Sequence, residues 1–180
     1  MKEIVIILFL VATHQYAGAQ ISATQSLDIE VTNAIEITFT GTQNTQGGNV
    51  NLVFDNVDDY ANGIVSEAQG LKITSNTAFA LAVKAGAESF TYSGVQTPSP
   101  AMPVDGVLSI KVNSNGTGGT VASPFSTSSY YSLNNTDRNL LSAATKGIDK
   151  AISVVYKATP GFAYPGGTYS VDVIYTATQE

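Results

Sequence analysis

Three small constellations in this 180-residue chain have residue types and spacings that chemistry could use. Asp55, Asp58 and Asp59, with Asn62, crowd one stretch and would offer oxygen ligands to calcium. Their spacing is not that of an EF-hand loop, and a solvated turn ending at Asn62-Gly63 accounts for the same residues. Ser142 and Lys146 stand four apart, so a helical turn would bring them together as a nucleophile and a base. That spacing differs from the Ser-x-x-Lys arrangement of β-lactam-reactive enzymes. Asn115-Gly116-Thr117 and Asn134-Asn135-Thr136 have the pattern of glycosylation acceptors, which short polar loops also produce by chance.

The residues that are missing exclude more than these clusters suggest. The chain has no Cys and no Trp, and its single histidine is His14. Ser-His-Asp and Cys-His catalysis both need an imidazole beside the nucleophile. Zinc sites draw mainly on Cys and His. Carboxylates remain, but Asp58 and Asp59 are adjacent and would point apart on a strand, a poor couple for hydrolysis. The reading is therefore not an enzyme, and no cofactor is implied. A net charge of −6 argues against nucleic acid, whose phosphates call for a basic face.

Three parts of a secretory signal peptide are expected over residues 1–19. Lys2 gives the charge, Ile4 to Ala12 an apolar run, and Ala17-Gly18-Ala19 a small-residue cleavage site. The run is shorter than the roughly 20 apolar residues a membrane span needs. Export follows from this, with residues 20–180 as one domain and no membrane span once the signal is removed.

Residues 20–180 are rich in Thr, Ser, Val, Ile, Tyr and Gly, which favours strands joined by turns. Alternation with a period of two marks Leu27-Ile29-Val31, Ile35-Ile37-Phe39, Val50-Leu52-Phe54, Leu71-Ile73 and Phe79-Leu81-Val83. It continues at Leu108-Ile110-Val112, Ile152-Val154-Tyr156 and, most cleanly, Tyr169-Val171-Val173-Tyr175-Ala177. Only Arg138 to Lys146 reads as mildly helical. Asn113 to Ser129, almost all small and polar, reads as a long hairpin tip or an insertion. Short strands at this spacing predict an all-β, immunoglobulin-like antiparallel β-sandwich.

The two ends carry the sharpest signal. Residues 20–32 form an extended segment without Gly or Pro, and the last alternating strand leaves an edge that another strand could pair. A strand given by another chain would complete it, which is donor-strand complementation. The bland alternative makes Leu27 to Val31 the domain's own first strand.

The run Pro165-Gly-Gly-Thr-Tyr-Ser-Val-Asp-Val-Ile-Tyr-Thr-Ala-Thr resembles the final strand of chaperone–usher pilus subunits, closest to the archaic, spore coat protein U-like class. Ala23 to Phe39 with Leu52-Val53-Phe54 is similar to their donor segment and first strands. Lys72-Ile-Thr-Ser-Asn76, running into Phe79 to Val83, is similar to their middle strands. The resemblance implies an incomplete sandwich, completed by donor-strand exchange, held in transit through the periplasm by a chaperone and passed to an outer-membrane usher. It would assemble with like or related subunits into a surface fimbria. Carried over by position, Tyr169, Val171, Val173 and Tyr175 would line the acceptor groove. Ile21, Ala23, Leu27, Ile29 and Val31 would be donated, each large apolar side chain contributing roughly 1.5–3 kcal/mol once buried. That class carries a disulfide near its first strands, and this chain has no cysteine.

The expected role is thus structural and adhesive. Its rival is a self-complete secreted module binding carbohydrate or another surface, with Tyr130-Tyr131 beside the polar loop as the place for stacking.

Overall fold

Alternation becomes strand wherever the chain finds a hydrogen-bonding neighbour. The computed structural model describes residues 21–40 and 47–180, so the signal peptide expected over 1–19 lies outside the described residues. Contacts divide the chain at Val31/Thr32. Of the first unit, Ile21–Val31 belongs to no strand or helix.

The second unit runs β1 (Ile35–Phe39), α1 (Val57–Asn62), β2 (Ile64–Val65), β3 (Gln69–Ser75), β4 (Phe79–Ala85), β5 (Thr91–Ser93) and β6 (Leu108–Asn115). It continues through β7 (Thr120–Val121), β8 (Tyr131–Ser132), β9 (Arg138–Ala144), β10 (Gly147–Ala158), β11 (Thr168–Ser170) and β12 (Val173–Gln179). One sheet has the order β1-β3-β10-β6-β8, with β2 also on β10. The other has the order β12-β4-β9-β7, and β11 and β5 form a separate ribbon. Every pairing is antiparallel.

The two sheets close face to face over one apolar core, so the all-β sandwich predicted from the alternation is the observed architecture. In β3 and β4 every second side chain is buried, as a sheet with one wet face requires. Leu71, Ile73, Phe79, Leu81, Ile110, Leu140, Leu141, Ile152 and Val154 are sealed from water. At about 25 cal/mol per Å² of apolar surface removed from water, this packing is the main force holding the sheets together.

Three expectations need correction. Arg138 to Lys146 is not helical: β9 occupies most of it, and two register shifts against β4 insert extra residues. The bulges bury Leu140 and Leu141 side by side, which broke the two-residue period and imitated a helical face. Asn113 to Ser129 is not a loose tip. It finishes β6, buries Thr117 as it crosses to β7 in the opposite sheet, and buries Phe125 beyond β7. Gly119 permits that crossing, since a Cβ there would lie 2.7 Å from the Ser142 carbonyl oxygen. Val50-Leu52-Phe54 alternates yet forms no strand. Phe54 packs instead on Tyr60, whose ring stacks on Phe162.

Candidate functional site

Both sheets end on the same flank of the sandwich. There β1 is the edge of one sheet and β12 the edge of the other, and the two adjoin. Among the described residues each has one partner strand, β3 and β4 respectively. The inward side chains of β1 are Ile35, Ile37 and Phe39. Those approaching and entering β12 are Val171, Val173, Tyr175 and Ala177. All seven pack against the core but stay only half-buried, unlike the sealed side chains one strand further in. The flank is an apolar row without a roofing strand among the described residues.

Its floor contains one polar pair. Tyr156 on β10 and Tyr175 on β12 bring their hydroxyls within 2.6 Å, spanning the core between the sheets. Phe39 meets the Tyr175 ring edge-on, with centroids 6.1 Å apart. Burial pushes the Tyr156 hydroxyl up to about 12, partly offset by its hydrogen bond to Tyr175. Tyr175 is raised well above its ordinary value by burial first and the Tyr156 hydroxyl second. Both are therefore neutral at physiological pH and the pair stays joined.

At one end the row is clamped. The Asn76 Nδ2 donates to the Thr32 carbonyl oxygen at 2.9 Å, and its Oδ1 accepts from the Ala34 amide at 2.9 Å. The Gln179 Nε2, at the end of β12, donates to the Ala34 carbonyl oxygen at 3.0 Å and to the Asn76 Oδ1 at 3.2 Å. This network fixes Thr32–Ala34 against both sheets. The sequence placed Asn76 at the end of the Lys72–Asn76 motif without giving it a role of its own.

Of the four acceptor residues expected from sequence, Val171, Val173 and Tyr175 share this row. Tyr169 does not. It lies on β11, opposite Tyr92 of β5, with ring centroids 5.0 Å apart, and its hydroxyl donates to the Pro165 carbonyl oxygen. The strand breaks at Val171-Asp172, which separates Tyr169 from the residues that continue its alternation. The expected donor residues keep their alternation without pairing. Ala23 is exposed, and Ile21, Leu27, Ile29 and Val31 are 77–94% exposed. They lie in no strand or helix, and their apolar side chains are exposed.

The other candidates have local structural work. Asn56 caps α1 by accepting from the Asp59 amide, and the Asp59 carboxylate accepts from the Asn56 and Asp55 amides. Asp55, Asp58 and Asp59 thus do not converge, and among the described residues no three His, Cys, Asp or Glu side chains form a metal-binding group. Ser142 sits on β9 and Lys146 beyond its end, so no helical turn joins them. Asn115 uses its side chain within its own turn, accepting from the Thr117 hydroxyl at 2.6 Å and donating to the Gly119 carbonyl oxygen at 2.9 Å. Asn134 likewise accepts from the Thr136 amide. Tyr130 is covered by Lys111, 4.9 Å from its centroid, while Tyr131 packs edge-on to Phe125 beneath Arg138. The two rings share no open platform.

No protein-family model matches this chain, and no curated protein matches it in sequence. Among the described residues no helix is long and apolar enough to cross a membrane.

Proposed function

We propose that this protein is an exported, non-catalytic structural subunit that assembles with copies or relatives of itself by donor-strand complementation. One observation carries the reading: the half-buried apolar row between β1 and β12, flanked by two sheet edges. A strand laid along that row would find backbone donors and acceptors on the edges and a groove for alternate side chains. The alternating, highly exposed Ile21–Val31 segment has the chemistry of such a strand. The resemblance of residues 165–178 to the last strand of pilus subunits points to a surface fimbria as the product, with a chaperone and usher as partners in transit.

The test is assembly of the exported chain, followed by light scattering and by resistance to detergent. Stable oligomers are expected, and Val173→Asp, which sets a carboxylate in the groove, should abolish them while the fold persists. Normal assembly by that variant would overturn the proposal. A monomeric wild type that retains glycans would support the rival binding module, for which the exposed Phe162 stacked on Tyr60 is the surface feature to examine.

A further inference from the structure

A second apolar feature lies where the N-terminal segment joins the sandwich. Ala34, Ile35, Glu36, Asn76, Gly147 and Ile148 line a shallow depression at the start of β1. Ile148 is 81% exposed, although it belongs to a strand. A bulge presents it there: β10 shifts register between Gly147 and Lys150, and Asp149 adopts a left-handed φ of 52°. Such a backbone is uncommon outside glycine and needs support. The Asp149 amide donates to the Thr74 hydroxyl at 3.2 Å, and its carboxylate pairs with Lys72 at 3.1 Å. The bulge at the start of β10 therefore leaves an isoleucine in water.

We propose that this depression, with Ile148 as its apolar contact, is a second subunit–subunit interface, covered by the same neighbouring copy that receives the donor strand. The inference rests on the donor-strand reading. It follows from chain length: Val31 is three residues from Ala34, at most roughly 10–11 Å of chain. Asn76 and Gln179 hold Thr32–Ala34 in place, so little slack exists at the exit. A neighbour that takes the segment up to Val31 must bring the mouth of its groove against the surface around Ala34. An apolar patch there then becomes buried on assembly rather than remaining a liability in water.

Hydroxyl-radical footprinting read by mass spectrometry tests this on the full exported chain, comparing wild-type oligomers with the Ile29→Asp variant, whose donor is broken. Oxidation of Ile148 should fall by about fivefold or more in the oligomer, as expected of a fully covered interface side chain. It should remain high in the variant, which stays monomeric. Oligomers in which Ile148 oxidises as readily as in the monomer would overturn the second interface and leave the donor-strand reading standing. Protection of Ile148 in the monomeric variant would show that the chain covers the patch itself, which also overturns it. Oligomers formed by Ile29→Asp, or none formed by wild type, would remove the donor-strand reading and this inference together.

Discussion

The interior strands of the sandwich and its open flank are made of the same residue types in the same alternation, yet they differ in what they bury. In the interior, β4 has a neighbour on each edge, β12 and β9, and its Leu81 and Val83 are sealed from water. On the open flank, β1 and β12 each have one neighbour among the described residues, and Ile37, Phe39, Val173 and Tyr175 remain half-buried. Sequence decides which face of a strand is apolar. The number of neighbouring strands decides whether that face is covered.

The largest difference should appear in the core itself. Leu81→Ala in the interior is expected to cost about 2–5 kcal/mol in urea unfolding, the range for a sealed leucine. A change at alkaline pH comes next. Tyr156 has a pKa of about 12 folded against an ordinary 10.0, so its contribution is intact below pH 10 and disappears as pH rises from 10.0 through about 12, and Tyr175 is raised in the same direction. Tyr156 alone accounts for about 2–3 kcal/mol of that loss, and Tyr156→Phe should flatten the profile. On the open flank, Ile37→Ala should cost less, about 1–2 kcal/mol in a monomer held apart by Ile29→Asp, because the side chain is only half-buried. The cost should approach the Leu81 value once the groove is filled. Equal costs for Leu81→Ala and Ile37→Ala in monomers would erase the contrast between the interior and the open flank. The smallest effect is that of Asn76→Ala, about 1 kcal/mol from lost hydrogen bonds, seen as faster amide exchange at Ala34.

Most of the sandwich was legible because period-two alternation survives wherever a strand is regular, as in β3, β4 and β12. It failed at β9, where bulges place Leu140 and Leu141 on one side and disguise the period. It overreached at Val50-Leu52-Phe54, where the pattern exists but no strand lies alongside. Alternation is a property of one segment and pairing a property of two. The same reason limits the groove: Val171, Val173 and Tyr175 could be placed on one face from spacing, whereas the break that turns Tyr169 toward Tyr92 follows from β5. The clamp at Asn76 and the bulge under Ile148 depend on contacts distant in sequence and left no local mark.

The central claim is that the open flank accepts a strand from another copy, and mixing two defective variants tests it directly. Ile29→Asp keeps the groove and loses the donor; Val173→Asp keeps the donor and loses the groove. Each alone should be monomeric by size-exclusion chromatography with light scattering. Together they should form a one-to-one heterodimer that grows no further. Two variants that stay monomeric when mixed, or that each assemble unaided, would contradict the account.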